Sequence, residues 1–117
     1  MDTHKYTKAG EVFVKHHKYG VEKIRLVYIQ DDILYWTKPD DINKLKPKGK
    51  IKLEDILQIE NGLKKAKKLK DLDRSSNCFS IITKERTLEL EASNIQIKNI
   101  WTNIINNILK NQQTPSQ

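Results

Sequence analysis

The sequence has a single cysteine, Cys78, which excludes an intramolecular disulfide and a zinc site built on several cysteines. No apolar run approaches the roughly 20 residues that a membrane-spanning helix needs. The amino terminus has no apolar signal-peptide core, and Asp2 stands where N-myristoylation requires a glycine. We therefore expect a cytoplasmic domain that lacks a membrane span and a lipid anchor in the sequence as written.

The sequence motifs of enzymes are also lacking. There is no glycine-rich phosphate loop, no metal-ligand spacing, and no serine or cysteine nucleophile with a placed histidine partner. The sequence therefore predicts a noncatalytic domain without a cofactor or a metal. A length of 117 residues suits one domain with one core.

What the sequence has in excess is positive charge. The formal net charge is +7, and eleven of the 22 lysines and arginines fall between positions 44 and 74. Such an excess favours an anionic partner, either a lipid surface or a nucleic acid. No nucleic-acid-binding motif is present and the aromatic residues fit a core, so the pattern favours an anionic membrane surface over nucleic acid.

Alternating and β-branched segments predict seven short strands, which makes the domain mostly β. These predicted strands are 12–15, 21–29, 33–37, 50–53, 56–59, 78–83 and 87–92. The lysine-rich segment 63–77 is predicted to be either a mobile loop or a short basic helix. Its lysines would form an ordinary solvated surface or, alternatively, a nonspecific contact with an anionic leaflet.

One amphipathic helix is predicted after the strands. Ser93 followed by Gln96 is typical of a capping box at the first turn. The apolar stripe that follows at helical spacing consists of Ile97, Ile100, Trp101, Ile104, Ile105 and Ile108. We expect this helix to cover one end of the strands and to bury Trp101 there. Residues 1–9 are expected to be an extension and residues 110–117 a disordered tail.

A basic triplet, Lys15, Lys23 and Arg25, is divided between the first two predicted strands by the polar loop 16–20. Because side chains alternate along a strand, Lys23 and Arg25 share one face, and we expect that face to point away from the core. Three cations on paired strands predict a phosphate site, since lysine and arginine bind phosphate through charge-assisted hydrogen bonds.

The layout and the triplet together resemble the pleckstrin homology (PH) domain family over residues 10–109. Lipid-binding members carry a lysine, a variable loop and then Lys-x-Arg, as at Lys15, Lys23 and Arg25. The segments 53–56, 78–82 and 86–90 are most similar to the PH domains of phosphoinositide-specific phospholipases C. The resemblance implies a seven-stranded β-barrel or sandwich capped by the carboxy-terminal helix. It also implies that the domain is a membrane-targeting module that binds anionic phospholipid headgroups.

The resemblance also implies further site residues. Lys46 and Lys48 in the loop after the third strand would join the pocket, with Lys44 a weaker candidate, and Tyr35 could donate its hydroxyl to a phosphate. Lys18 and Tyr19, at the tip of the first loop, would contact the membrane. Trp36 is expected in the core, and Cys78 is expected to be buried and inert.

The sequence is similar, more narrowly, to the acylated PH proteins of apicomplexan parasites, which lie on secretory micronemes and sense phosphatidic acid. This similarity favours phosphatidic acid, peripheral attachment to the cytosolic face of a membrane, and a role in microneme secretion. A phosphoinositide remains an alternative ligand. A third possibility is a protein-interaction module that binds a peptide along the helix and its neighbouring strand. We expect the domain to be a monomer.

Overall fold

The computed structural model describes residues 9–40 and 46–113. Seven antiparallel strands form one sheet in the spatial order β4-β3-β2-β1-β7-β6-β5. The strands are β1 Glu11–His16, β2 Glu22–Gln30, β3 Ile33–Thr37, β4 Gly49–Lys52, β5 Ile56–Asn61, β6 Cys78–Thr83 and β7 Thr87–Glu91. A short helix α1, Leu72–Ser76, precedes β6, and a long helix α2, Ile95–Gln113, follows β7. The predicted class, mostly β with one long carboxy-terminal helix, is confirmed.

The sheet does not close into a barrel, which corrects that part of the prediction. Strands β4 and β5 are its two edges, and no ladder joins them within the described residues. A 3-10 turn, Leu53–Asp55, connects the two edges, and helix α2 contacts both this turn and β5. Helix packing therefore covers the apolar side chains at the gap, where a closed barrel would use strand pairing.

Aromatic packing joins the helix to the sheet. Phe13 lies edge-on to Phe79 at 5.8 Å between ring centroids and to Trp101 at 5.3 Å. Trp101 is 2% exposed, so its predicted burial is confirmed. Such edge-to-face pairs add stability beyond the area that they bury. The predicted apolar stripe is confirmed with one exception, since Ile100 is exposed and Leu109 is buried in its place.

The ends of helix α2 differ from the predicted ends. Asn94 Oδ1, rather than Ser93, accepts the hydrogen bond of Ile97 N at 2.9 Å, so asparagine caps the first turn. The helix continues to Gln113, beyond the predicted boundary at residue 109. Residues 114–117 of the predicted tail and 1–8 of the predicted extension lie outside the described residues.

The basic triplet lies on the inner face of the sheet, contrary to the expectation that Lys23 and Arg25 face away from the core. Val27, which is fully buried, pairs with Trp36, and alternation places Arg25 and Lys23 on the same face as Val27. The apolar residue between them, Ile24, is 58% exposed on the outer face. Polarity along β2 does not reveal the core face, because the cations lie near the β1–β2 loop, beyond the fully buried part of the strand.

The lysine-rich segment 63–77, here called the basic insert, packs on the outer face of the sheet and contains α1. Leu63 and Ala66 form a small apolar cluster with Cys78, against which Leu69 packs. Cys78 is fully buried, as predicted, and burial raises the pKa of its thiol to about 11. The basic insert is therefore an ordered part of the fold that includes one short helix.

Candidate functional site

The end of the β1–β2 hairpin beside its loop carries the basic triplet. Lys15 on β1 and Lys23 on β2 are direct cross-strand partners, and Arg25 is paired with the buried Phe13. Directly paired side chains of an antiparallel ladder lie on the same face of the sheet. The ladder therefore brings all three predicted ligands together on the inner face, where like charges repel one another.

Trp36 forms the floor beneath this triplet, and a fourth cation, Arg86, joins it. The Lys15 ammonium lies 5.7 Å from the centroid of the Trp36 ring, and the Arg86 guanidinium carbon lies 5.5 Å from it. Both distances fall within the range of cation–π attraction, and the buried Trp36 confirms the expected core position. We call Lys15, Lys23, Arg25 and Arg86 the mouth cluster.

Arg86 was missed by the sequence analysis. It lies in the tight turn between β6 and β7, and β7 is the antiparallel neighbour of β1. The register pairs Lys15 with Leu90 and His16 with Glu89, so the start of β7 lies at the same end as the β1–β2 loop. Only the strand order, which does not follow the chain, brings Arg86 to the mouth.

The electrostatics of the mouth cluster are unfavourable without an anion. Burial lowers the pKa of Lys15, and the charges of Arg86 and Arg25 lower it further. Burial also lowers the pKa of His17, with contributions from Lys15, Arg25 and Lys23. Within the described residues, no carboxylate forms an ion pair with any member of the mouth cluster. The cluster is therefore a region of uncompensated positive charge.

The other predicted ligands are less closely associated with this cluster. Lys46 and Lys48 are exposed in the β3–β4 loop, with the Lys48 backbone bonded to Trp36 O at 2.8 Å, and Lys44 lies outside the described residues. Tyr35 lies on the outer face, where its ring stacks on Tyr28 with centroids 5.1 Å apart. The register pairs Tyr35 with Tyr28 and Trp36 with Val27, so the structure does not bring the Tyr35 hydroxyl into the mouth cluster.

The tip of the β1–β2 loop is a 3-10 turn, Lys18–Gly20, that projects into solvent. Tyr19 is 93% exposed and has a φ of 64°, a left-handed conformation that costs energy in residues with a side chain. An aromatic ring held outward in a strained conformation contributes no packing to the described fold. Such strain is common at functional positions.

His16 belongs to β1, not to the loop in which the sequence analysis placed it. It is buried on the outer face, and its Nε2 lies 2.8 Å from Glu91 Oε1. Arg74 donates two further hydrogen bonds to Glu91, at 2.7 and 2.8 Å, and a third to Glu22 at 2.8 Å. This network joins α1 of the basic insert to β2 and β7.

Side chains in this network could offer metal ligands, because the donor atoms of His16, Cys78 and Glu91 lie within 4.8 Å of one another. However, the Arg74 guanidinium contacts both Glu91 oxygens, and the Cys78 thiol donates to Arg74 O at 3.3 Å. A bound cation would have to displace the arginine. The arrangement is therefore an ion-pair network that fastens the basic insert to the sheet.

Glu89 fastens the beginning of the basic insert in a similar way. Its carboxylate, in a residue that is 5% exposed, accepts backbone hydrogen bonds from Lys64, Lys65 and Ala66. The Lys65 bond is 2.8 Å long, and the shorter of the two Ala66 contacts is 3.1 Å. Backbone amides that converge on a carboxylate are strong, charge-assisted donors.

The sheet, its capping helix and the cationic mouth define a small binding domain of the PH type. No curated protein sequence matches the chain. The family model described as PH domain matches residues 6–110, so the chain belongs to the PH domain family. PH domains are generally noncatalytic modules that bind phosphoinositide headgroups and sometimes proteins. Among the described residues, no helix is both long enough and apolar enough to cross a membrane.

Several solved structures are similar to the chain. The N-terminal PH domain of human ARAP2 is 22% identical with a TM-score of 0.67, covering 92% of this chain and 84% of that one. Inner Membrane Complex Sub-compartment Protein 1 from Toxoplasma gondii is 16% identical with a TM-score of 0.71, covering 91% and 86%. The C-terminal PH domain of pleckstrin, in complex with an inositol pentakisphosphate, is 19% identical with a TM-score of 0.62, covering 86% and 96%. At these identities the similarities show the fold alone.

Proposed function

We propose that this domain is a noncatalytic membrane-targeting module that binds one anionic phospholipid headgroup at the mouth cluster. The observation that carries the proposal is the convergence of four cations at the loop end of the hairpin without a carboxylate partner in the described structure. Bringing like charges together costs energy in the free protein, and a bound phosphate would remove that cost.

The geometry suits a phosphomonoester. Lys15 and Arg86 both lie within cation–π range of the Trp36 ring, and the charge of Arg86 lowers the pKa of Lys15, so the two charges act on one another. Arg25 and Lys23 extend from the neighbouring strand on the same face. Arginine offers a planar pair of donors, whereas lysine acts as a point charge, so the four side chains together can satisfy several phosphate oxygens.

The loop tip would orient the domain on the membrane. Tyr19 would enter the interface between headgroups and acyl chains, where amphipathic aromatic rings are favoured, and Lys18 would contact anionic lipid. The hairpin would then point towards the bilayer, with the mouth cluster at headgroup depth. We propose that the domain attaches peripherally, as a monomer, to the cytosolic face of a membrane.

Phosphatidic acid is the ligand that we favour. The resemblance of the sequence to the acylated PH proteins of apicomplexan parasites supports this lipid, together with the microneme surface as the location and control of secretion as the role. A phosphoinositide is the second candidate, since the C-terminal PH domain of pleckstrin has been solved with inositol pentakisphosphates.

A liposome panel at fixed total charge tests the proposal. Phosphatidic acid, a phosphoinositide and phosphatidylserine are compared for the wild type and two variants of equal charge change, Lys23→Gln and Lys52→Gln. Lys52 is exposed and pairs with Ile33 beside the β2–β3 turn, whereas Lys23 lies beside the β1–β2 loop, so Lys52 is a control of equal charge change. Loss of a charge-assisted contact should weaken binding by Lys23→Gln about tenfold or more.

The control variant should lose only its share of the diffuse attraction, and equally for every lipid. Preferential binding of the wild type to phosphatidic acid supports our choice of ligand, and preferential binding to the phosphoinositide would select the second candidate. Equal losses for Lys23→Gln and Lys52→Gln on all three lipids, with native circular dichroism, would contradict a site at the mouth cluster.

A further inference from the structure

Three side chains with metal-binding atoms meet on the outer face of the sheet. His16 lies on β1, Cys78 on β6 and Glu91 on β7, and β7 is the strand between the other two. Cys78 and Glu91 are direct cross-strand partners. The donor atoms of the three side chains lie within 4.8 Å of one another. Paired strands, which hold side chains more precisely than loops do, therefore bring three different kinds of ligand to one position.

This set of ligands suits zinc and not the harder cations. Magnesium and calcium are bound through oxygen atoms, whereas zinc is bound by thiolate sulfur, imidazole nitrogen and carboxylate oxygen. Zinc–ligand bonds of about 2.0 to 2.3 Å place the ligand atoms of a tetrahedral site roughly 3.3 to 3.8 Å apart. His16 Nε2 and Glu91 Oε1 are 2.8 Å apart, so side-chain rotations would bring the three atoms to these separations without movement of the strands.

An arginine supplies the positive charge that these buried ligands need. Arg74 Nη2 and Nε donate to the two oxygens of Glu91 at 2.7 and 2.8 Å, and the Cys78 thiol donates to Arg74 O at 3.3 Å. The guanidinium group has only donors, so it satisfies the carboxylate but cannot use the lone pairs of the sulfur or of the imidazole. A zinc ion would accept electron pairs from all three side chains.

Arg74 can leave this position without opening the core. Its side chain is 40% exposed, and helix α1, which carries it, has no buried residue. Its other ion-pair partner, Glu22, is partly exposed and lies opposite His16 in the β1–β2 ladder. The three ligands, by contrast, are all buried. Displacement of the guanidinium would therefore leave the buried ligands in place and free the Glu22 carboxylate on the solvent side.

We propose that His16, Cys78 and Glu91 form a zinc site that Arg74 closes when no metal is bound. On binding, the Cys78 thiol would lose its proton to solvent, and the neutral His16 imidazole would keep its proton on Nδ1 and present Nε2 to the metal. The inference is independent of the mouth cluster and goes beyond the proposed function.

Zinc binding would also loosen α1. Cys78 and Glu91 are the two side chains that hold Arg74 from the sheet, and both would be committed to the metal. The start of the basic insert would stay in place, because Glu89 continues to accept the Lys65 and Ala66 amide hydrogens. The site would therefore couple zinc to the position of one short helix and of the insert residues that lead into it.

The first test uses cobalt(II), which takes the same types of ligand as zinc. A bound thiolate gives cobalt(II) a charge-transfer absorption, and zinc should abolish it by competition. His16→Gln is compared with His17→Gln, which makes the same change at the neighbouring residue, whose ring contacts Lys15. We expect the absorption in the wild type and in His17→Gln, no such absorption in Cys78→Ser, and an affinity for zinc at least tenfold lower in His16→Gln.

The second test uses a variant that should gain affinity, so it does not depend on a ligand substitution that unfolds the domain. Arg74→Gln removes the cation that competes with the metal, and its zinc affinity should rise tenfold or more. Lys65→Gln makes the same charge change at an exposed position of the same insert and should bind zinc as the wild type does. Equal affinities in Arg74→Gln and Lys65→Gln would overturn the role of Arg74.

Amide hydrogen exchange tests the release of α1. The Ser75 amide, bonded to Asp71 O at 2.9 Å, reports on the helix, and the Lys65 amide reports on the part of the insert held by Glu89. Zinc should speed the exchange of Ser75 and leave Lys65 unchanged. Zinc binding with unchanged exchange at Ser75 would overturn the release. Cobalt binding without the thiolate absorption, or equal losses in His16→Gln and His17→Gln, would mean adventitious binding and would overturn the site.

Discussion

Replacing Glu89 with glutamine separates the effect of charge from the effect of structure in the basic insert. Glu89 is not part of the mouth cluster, but its carboxylate accepts the backbone hydrogen bonds of Lys64, Lys65 and Ala66. The variant raises the formal net charge above +7 and removes no lysine. The variant therefore removes a structural contact of the basic insert without reducing the positive charge that attracts anionic vesicles.

The expected cost follows from the contacts. The amide oxygen of glutamine can keep the bonds made to Oε1, but the amide nitrogen would replace Oε2 and face Ala66 N, which lies 3.1 Å from that oxygen. Loss of charge assistance and an unpaired amide in a residue that is 5% exposed together cost about 2 to 3 kcal/mol. For a domain of this size the midpoint of thermal unfolding should fall by roughly 10 °C.

The assay pairs thermal unfolding with binding to phosphatidic acid nanodiscs at a temperature where the variant is folded. Glu54→Gln makes the same charge change at an exposed position in the turn beside β4, so it is the matched control. We expect Glu89→Gln to unfold at a lower temperature than Glu54→Gln, and both variants to bind the nanodiscs at least as tightly as the wild type, because neither changes the mouth cluster. An unchanged melting temperature for Glu89→Gln, or one lowered equally in Glu54→Gln, would refute the reasoning.

Three further predictions concern the core, the floor of the mouth cluster and pH. Trp101→Ala should destabilise the domain by about 3 to 5 kcal/mol in chemical unfolding, because the indole is 2% exposed, and a barely changed midpoint would mean that the helix does not cap the sheet. A Cβ at position 49 would overlap the Trp36 ring, so Gly49→Ala should displace the ring. The substitution should then shift the tryptophan fluorescence and weaken headgroup binding, and an unchanged spectrum would contradict this placement of Trp36. The lowered pKa of His17 reflects burial and nearby cations, so protonating it below about pH 6.5 should cost stability in the free domain and less in the phosphate-bound one. Binding by the wild type should therefore strengthen relative to His17→Gln between about pH 7.5 and 5.5, and parallel profiles would exclude this linkage.

Local patterns in the sequence were sufficient for the secondary structure. The seven strands and the long helix follow from alternation and helical spacing, which depend on residues close together in the chain. The burial of Trp101 also followed, because an apolar stripe at helical spacing must pack against something. The grouping of Lys15, Lys23 and Arg25 needed only a hairpin and the two-residue period of its strands.

The composition of the site was decided by the tertiary structure. Alternation shows which residues share a face, but only packing showed that Lys23 and Arg25 share theirs with the buried Val27, and that Tyr35 is on the other. Arg86 reached the mouth because β7 pairs with β1, a contact between segments far apart in the chain. The basic insert gained a fixed position from Glu89 and Arg74 for the same reason. Such long-range pairings leave no local period in the sequence, because the side chains that make them come from separate elements.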